Sequence, residues 1–498
     1  MFGHYFGASD AADAFQAALR IPNFLQNLFG EGVLSASFIP VYAQLLARGE
    51  RDEARRVASA IFSILALVSS LFVLVGVLAT PWLIALIAPG FPGAKRELTI
   101  RLVRILFPGA GLLVLSAWCL GVLNSNRRFL LSYTAPVIWN AAMIAALLLF
   151  GRGTQDMLAI ATAWGAVVGS ALQFGVQLPL VLRLVHGVQP TLALTSSHVR
   201  TVLRNFLPSF IGRGVVQLSA YIDTLLASFL PGGAVAQMAY AQALYLLPVS
   251  LFGMSVSAAE LPAMSSAVGK DEEVAAYLRQ RLHGGLRRIA FFVIPSAMVF
   301  LALGDMVAGA VYQSGRFTED VAIHVWAILA GSAVGLLAST LGRLYASTYY
   351  ALRDTRTPLR YALVRVALTT ALGWLCAFPL PAALGISPRW GAAGLTASAG
   401  IAGWVEFVLL RRTLNRRIGV TGVEGRLLVQ LWSAAAVAAV VGWGMKLALR
   451  GVPHPLIVSL AVLGVYAAVF LSLALALRIP EGLALVRAAT RRWQRDAG

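Results

Sequence analysis

The sequence predicts an all-α integral membrane protein built from two pseudo-symmetric helical lobes and an additional C-terminal helix pair. Of its residues 59% are hydrophobic and only 12% are charged, a balance that excludes an ordinary soluble domain. Apolar stretches of about 20 residues recur along the whole chain, and each is long enough to cross a hydrocarbon core of about 30 Å. An open β-sheet cannot satisfy its backbone in lipid, so we expect these stretches to be helices.

Thirteen apolar segments qualify as transmembrane helices. Gly- and Pro-rich loops mark several of their ends more sharply than hydropathy does. The predicted spans are 10–46, 57–87, 99–123, 131–150, 157–182, 201–229, 234–266, 283–308, 320–350, 358–379, 390–410, 426–448 and 456–477.

An internal repeat organises these helices. FGEGVLSAS (29–37) matches FGMSVSAAE (252–260), and NSNRRFLLSYTAP (124–136) matches ALRDTRTPLRYAL (351–363). A duplication of this length in so apolar a chain indicates a transporter with two lobes. We expect the lobes at 1–190 and 191–420, followed by the extra helix pair and a basic tail at 421–498.

The two copies differ at their beginning. In the second copy a complete helix, 201–229, precedes the turn Pro231-Gly232-Gly233, whereas only residues 1–7 precede the matching turn Ala8-Ser9-Asp10. We therefore expect that the first helix of the first lobe is missing, and that a full-length protein of this kind has fourteen transmembrane helices.

The distribution of charge predicts the orientation in the membrane. Alternate connections place 28 Lys and Arg residues on one side and 9 on the other, with 3 inside spans. The basic side is expected to be cytoplasmic, which places the C-terminus inside. The net charge of +19 thus reflects topology and does not indicate a nucleic-acid partner.

The sequence shows no pattern typical of an enzyme, a metal site or a cofactor site. The six histidines are scattered over loops and span ends, without metal-like spacing or paired carboxylates on one face. Both cysteines, Cys119 and Cys376, lie in apolar helices and read as small buried hydrophobic residues.

Several segments together resemble the MurJ/MviN family. They are DAFQAALRIPNFLQNLFGEGVLSASFIPVYAQ (13–44), APGF (88–91), NSNRRF (124–129), QLSAYIDTLLASFL (217–230), YQSGRFT (312–318) and RDTRTP (353–358). Members of that family are lipid II flippases of the multidrug/oligosaccharidyl-lipid/polysaccharide exporter superfamily. The resemblance implies transport of the undecaprenyl-pyrophosphate-linked peptidoglycan precursor, by alternating access, from the inner to the outer leaflet of a bacterial cytoplasmic membrane. Implied partners are this precursor, membrane lipids and the cell-wall synthesis machinery.

Two long spans are interrupted at corresponding places by Pro and Gly. Matched interruptions point to the site and hinges of a transporter, although ordinary proline kinks would look the same. The hinge candidates are Pro22, Gly30, Gly32, Pro248 and Gly253.

Ionisable residues inside spans are the candidates for the transport site, because each is costly in lipid. Arg20 matches a basic family position, so we expect it to bind the pyrophosphate; snorkelling to the interface is the alternative. The cavity candidates are Arg20, Asn23, Gln26, Arg213 and Arg343. For gating or ion pairing the candidates are Asp13, Glu31 and Asp223, with purely structural pairs as the alternative and, for Asp13, an exposed position at the end of its span as another.

The sequence also departs from the family pattern. Arginines that line the family's cavity correspond here to Gln26 and Ala243, and a third is absent with its helix. The alternatives are therefore a flippase for another polyprenyl-linked oligosaccharide, or a drug or cation antiporter of the same superfamily. In the family the C-terminal helix pair shapes a groove for the isoprenoid tail; simple packing against the lobe is the other interpretation.

Overall fold

The computed structural model describes residues 1–29, 33–34, 37–266, 270–452, 454–485 and 487, without the side chains of 21–22, 28–29 and 207–220. Its long elements are all helices. They are α1 (Phe2–Phe6), α2 (Asp10–Phe29), α3 (Ile39–Ala47), α4 (Arg51–Ile87), α5 (Gly93–Ser125), α6 (Phe129–Phe150), α7 (Gln155–Val185), α8 (Ser197–Ser228), α9 (Ala234–Pro248), α10 (Ser255–Ser265), α11 (Asp271–Ala302), α12 (Gly304–Tyr312), α13 (Glu319–Ala351), α14 (Arg356–Ala377), α15 (Pro379–Ala383), α16 (Gly391–Ile418), α17 (Gly425–Ala448) and α18 (Pro455–Ala476).

The predicted membrane spans are confirmed wherever the description is complete. Eleven helical segments of the described chain are long and apolar enough to cross a membrane. They coincide with eleven of the thirteen predicted spans; the other two, 10–46 and 201–229, include residues or side chains outside the description. The side chains of Leu78 and Trp82 on α4 are 65% and 76% exposed, as expected of a helix face that meets lipid.

Two compact units make up the chain, Met1–Ala236 and Gln237–Gly498. In the first unit α5 is the central helix, because 72% of its most apolar window is buried. Trp118 on α5 is fully buried and its indole N–H donates to the carbonyl oxygen of Ala58 at 3.2 Å. That bond satisfies the only polar atom of a large apolar side chain.

The second unit repeats this pattern around α13. Corresponding helices have equal lengths: 33 residues in α5 and α13, and 22 in α6 and α14. Where α13 meets α16, a Cβ added to Gly335 would lie 2.3 Å from Gly400 Cα, so only glycine permits this approach. Small residues at helix crossings are the usual means of close packing in membranes. The C-terminal pair, α17 and α18, packs on α12 and α11 of this unit.

Two helices of the second unit are interrupted. Between α9 and α10 the backbone forms a π-helical turn, Val249–Met254, which begins directly after Pro248 and contains Gly253. The predicted interruption of span 234–266 is thus present in the backbone. The predicted span 283–308, in contrast, is divided at Leu303, whose φ of −133° ends α11 before α12 begins.

The compact units divide the chain later than the predicted repeat boundary at residue 190. Helix α8 packs against α2, α3 and α4 of the first unit. The connection before α8 lies along α4, where the backbone N–H groups of Gln189 and Thr191 donate to Ser59 Oγ and Ser63 Oγ at 3.2 and 3.3 Å. At the other end of α8, Ser228 Oγ accepts a bond from the backbone N–H of Gly90. These contacts explain why α8 belongs to the first compact unit.

Candidate functional site

Asp13 lies at the centre of a buried polar cluster in the first unit. Its carboxylate is 1% exposed and accepts bonds from Lys95 Nζ at 2.6 Å and from the backbone N–H groups of Gly233 and Ala236, both at 2.7 Å. Lys95 also contacts Asp10 at 2.9 Å. The carboxylate therefore links α2 to α5 and to the 233–236 segment. An exposed position at the end of α2, one alternative for Asp13, does not fit this burial.

Arg20 lies about two turns beyond Asp13 on α2, against α8. Its carbonyl oxygen accepts a bond from the Tyr221 hydroxyl at 3.0 Å, and the ring of Tyr221 packs edge-on against Phe24. The charge of Asp223 acts on the Arg20 guanidinium. The structure thus brings a cavity candidate and an ion-pair candidate together, 203 positions apart in the sequence. An acidic partner on a neighbouring helix is consistent with a place for Arg20 inside the protein, and snorkelling to the interface stays the alternative.

The other candidates on α2 lie on the same part of the helix. Asn23 and Gln26 follow Arg20 at intervals of three residues and are partly exposed, so their amide groups remain accessible to a polar ligand. Position 22 lies inside α2, which continues to Phe29. The candidates Gly30, Glu31 and Gly32 lie outside the described residues, as do the side chains of Pro22 and Arg213.

In the second unit Arg343 is exposed in the last third of α13. The described residues include no acidic side chain in an ion pair with it, in contrast to Arg281, Arg365 and Arg417 of this unit. Glu260 is 4% exposed and contacts Arg281 and Arg288 at 2.8 and 3.5 Å, and Glu406 contacts Arg365 at 3.1 Å. These glutamates therefore join neighbouring helices of the unit.

Gly253 marks the tightest point of the π-helical turn. A Cβ added there would lie 2.3 Å from Thr340 Cγ2 on α13. The hydroxyl group of Thr340 donates to the carbonyl oxygen of Leu336, which fixes the methyl group toward the turn. Of the hinge candidates within the description, Gly253 is therefore the one whose side-chain size the structure restricts most directly.

An apolar cavity of about 470 Å³ lies beside this turn in the second unit. Residues of α9, the π-helical turn, α11 and α18 line it, among them Leu247, Phe252, Phe292, Pro295, Tyr466 and Phe470. The C-terminal helix pair thus contributes one wall of an apolar cavity.

Sequence reasoning missed several residues of these clusters. Lys95 was counted as a loop charge, yet it is the partner of Asp13. Arg101 and Arg104 were also counted as loop charges, but they lie within α5 and line a cavity of about 440 Å³ with Glu97 and Trp164. The i, i+3 spacing of Arg101 and Arg104 is the sequence signal that could have placed them on one face of a helix. Among the described residues there is no group of three His, Cys, Asp or Glu side chains that could hold a metal ion.

Two repeated helical units, an interrupted helix in the second unit and buried charges within spans define this protein as a multi-pass membrane transporter. Residues 2–465 match the family model described as lipid II flippase MurJ, and the chain belongs to that family. A relative named lipid II flippase MurJ, from Burkholderia cenocepacia, is 32% identical over 443 residues, which cover 87% of this chain and 83% of the relative. A probable lipid II flippase MurJ from Rhizobium meliloti is 30% identical over 456 residues, covering 90% and 82%.

Solved structures agree with this fold. One titled lipid II flippase MurJ, inward closed conformation, has a TM-score of 0.78 at 23% identity and covers 96% of this chain and 95% of its own. An inward-facing MATE family multidrug transporter of the MOP superfamily has a TM-score of 0.63 at 15% identity, covering 84% and 95%. Both likenesses concern the fold alone.

Proposed function

We propose that this protein is a lipid II flippase, which moves the undecaprenyl-pyrophosphate-linked peptidoglycan precursor from the inner to the outer leaflet of the bacterial cytoplasmic membrane. The observation that carries the proposal is the family match over residues 2–465. Peptidoglycan synthesis and cell-wall biogenesis follow from this activity, and the cell-wall synthesis machinery is the expected functional partner.

The physical problem in this transport is the headgroup. The pyrophosphate and sugars are strongly hydrated, so moving them through hydrocarbon without help costs a prohibitive desolvation free energy. Cationic and amide side chains inside a hydrated cavity lower that cost. We assign this role to Arg20, Asn23 and Gln26 on α2, and to Arg213 and Arg343. The Asp223 carboxylate holds the Arg20 guanidinium before the pyrophosphate arrives.

Alternating access requires contacts that stabilise one conformation of the transporter and are broken in the other. Asp13 is the gating candidate supported by the contacts in the first unit, because its carboxylate connects Lys95 to the 233–236 segment. The hinge candidates supported by the backbone are Pro248 and Gly253, at the two ends of a π-helical turn. Isolated π-turns inside helices are frequent at functional sites.

The isoprenoid tail needs an apolar surface that is continuous with the membrane. The apolar cavity between α9, α11 and α18, with a volume of about 470 Å³, offers aromatic and aliphatic walls of the required kind. A tail lying there would stay in an apolar environment during transport of the headgroup, so no desolvation cost arises for the lipid portion.

Replacement of an essential lipid II flippase tests the activity. Cells depleted of their own flippase should survive when this protein is expressed, and labelled precursor should become accessible at the outer face. A matched strain expressing Arg20→Gln should not survive, because the neutral side chain cannot bind the pyrophosphate. Survival without precursor at the outer face would contradict the proposal.

A second variant separates substrate binding from structural pairing. If Arg20 served only to neutralise Asp223, the double variant Arg20→Gln/Asp223→Asn would restore transport, because no unpaired charge is left in the span. We expect the double variant to remain inactive while its thermal stability recovers. Restored transport in the double variant would remove Arg20 from the substrate site.

An antiporter of drugs or cations is the second candidate, favoured by the likeness of the fold to a MATE transporter. Such a transporter would use acidic groups to bind its cation. The polar candidates on α2 and α13 are mainly basic or neutral, which favours an anionic substrate. Direct binding measurements with a polyprenyl pyrophosphate and with a cationic drug distinguish the two.

A further inference from the structure

A second polar cavity lies in the first unit, away from the residues assigned to transport. It has a volume of about 790 Å³ and is formed by the end of α3, the start of α4, the turn between α5 and α6, and the end of α7. Its polar walls include Arg51, Arg55, Asn124, Arg127, Arg183 and His186. We call it the basic pocket, because four arginines and no acidic residue line it.

The charge of the basic pocket is not balanced by the protein. Within the described part of the chain, none of the four arginines has an ion pair with Asp or Glu, although ten other basic residues do. In addition, Nε of Arg55 is buried without a hydrogen-bond partner among the described atoms. A buried donor of this kind is unfavourable when it is left unsatisfied. A pocket with four positive charges and an unused donor is suited to an anion.

The backbone at the pocket is also held in an uncommon conformation. Arg127, in the α5–α6 turn, and His186, at the end of α7, both have φ of 58°. Left-handed backbone is unfavourable for residues other than glycine. Both residues follow the last turn of a helix, where a left-handed residue is a common way to end the helix.

The second unit supplies an internal comparison. Arg353 lies two residues after the end of α13, as Arg127 lies two residues after the end of α5, and it has nearly the same φ, 59°. The next residue, however, is Asp354, where the first unit has Arg128. Asp354 contacts Arg417 at 2.7 Å and accepts bonds from the backbone N–H and hydroxyl groups of Thr357. These bonds hold the pKa of Asp354 below its usual value, and the bond from the Thr357 N–H contributes most. The carboxylate therefore stays charged at neutral pH. The second unit thus carries its own anion where the first unit has none.

We propose that the basic pocket binds the phosphate headgroup of an anionic phospholipid. The pocket arginines belong to three connections on the predicted basic side of the membrane, and the pocket lies where membrane-spanning helices end. At its edge Phe129 is 50% exposed, and Leu130 beside it is 81% exposed, which provides a surface for acyl chains. Basic pockets between transmembrane helices at this depth recognise acidic headgroups. This site goes beyond the transport of lipid II.

Binding of phosphatidylglycerol to the delipidated full chain in detergent tests the proposal. The variant Arg55→Gln/Arg183→Gln removes two pocket charges and should weaken binding by at least about tenfold, since each loses a charge-assisted hydrogen bond. The matched control, Arg56→Gln/Arg128→Gln, removes two exposed neighbouring charges that do not line the pocket. It should bind within about twofold of the unchanged protein. If the first variant fails to fold, Arg127→Gln, at an exposed position, takes its place.

Two competitors identify the source of the phosphate. Phosphatidylcholine should compete at least about tenfold more weakly, since its headgroup carries no net charge, and inorganic phosphate should not displace the lipid. Equal loss of phosphatidylglycerol binding in the pocket and control variants would mean that general surface charge, and not the basic pocket, binds the lipid. That result would overturn the proposal. Displacement by inorganic phosphate would overturn the lipid assignment. Loss of undecaprenyl pyrophosphate binding in the pocket variant, with phosphatidylglycerol binding unchanged, would make the pocket a substrate site and also overturn it.

Discussion

Asp13 and Asp10 show how burial determines the contribution of a charged side chain to the free energy of unfolding. Both carboxylates contact Lys95, at 2.6 and 2.9 Å, yet Asp13 is 1% and Asp10 is 70% exposed. An exposed ion pair contributes at most about 1 kcal/mol, because water competes for both groups. The buried carboxylate also holds two backbone N–H groups, so its removal leaves several donors without an acceptor.

We therefore predict that Asp13→Asn lowers the free energy of unfolding by about 3 kcal/mol, whereas Asp10→Asn changes it by less than about 1 kcal/mol. The two substitutions are chemically identical and share the same lysine, so each serves as the control for the other. Unfolding by denaturant in detergent, followed by tryptophan fluorescence, measures both. Equal effects of the two substitutions would contradict the stabilising role of the buried polar cluster around Asp13.

At the scale of elements, the interrupted helix of the second unit depends on one glycine. The π-helical turn Val249–Met254 fits against α13 only because Gly253 has no side chain. An added methyl group would overlap with Thr340 Cγ2, and overpacking of this kind costs about 1–3 kcal/mol. The hydroxyl of Thr340 is held by the Leu336 carbonyl oxygen, so the methyl group cannot easily turn away.

Gly253→Ala is thus expected to lower thermal stability and to impair transport. Thr340→Ser removes the methyl group while keeping the hydroxyl, so the double variant Gly253→Ala/Thr340→Ser should recover most of the stability. Thr340→Ser alone is the control. A double variant no more stable than Gly253→Ala would show that this contact does not determine the packing of the turn.

The elements differ in how well the sequence predicts them. Hydropathy predicted eleven of the described spans. The length of an apolar run can be read from the local sequence, and it must match the thickness of the bilayer. Hydropathy did not locate the break at Leu303, because it is averaged over a window, although Gly304 and Asp305 follow the break directly. The interruption after Pro248 was predictable, since proline removes a backbone donor and disturbs the helix before it.

For the whole molecule, the alternation of charge predicts the topology. The turn that contains Arg128 belongs to the basic side, whereas Arg152, between α6 and α7, belongs to the opposite side; both residues are exposed. The positive-inside bias then places residue 128 and the C-terminus in the cytoplasm.

Cysteine labelling of intact cells checks this topology. In a background in which Cys119 and Cys376 are replaced by alanine, a membrane-impermeant maleimide should label Arg152→Cys and not Arg128→Cys. Permeabilised cells, in which both positions react, are the control. The opposite labelling pattern would reverse the orientation, and with it the predicted direction of transport.

The sequence by itself determined the class of this protein, the repeat and most of the spans. Helices in lipid satisfy their own backbone, so their existence depends on local composition and not on distant partners. Only the tertiary structure decided how the charged residues are combined. Asp13 meets Lys95 across 82 positions, and the Tyr221 hydroxyl reaches the Arg20 carbonyl across 201. Forty basic and twenty-one acidic residues allow many such pairs, and sequence carries no information on which of them packing brings together. The basic pocket is the clearest example, because its charge became visible only when three connections of the chain were placed side by side.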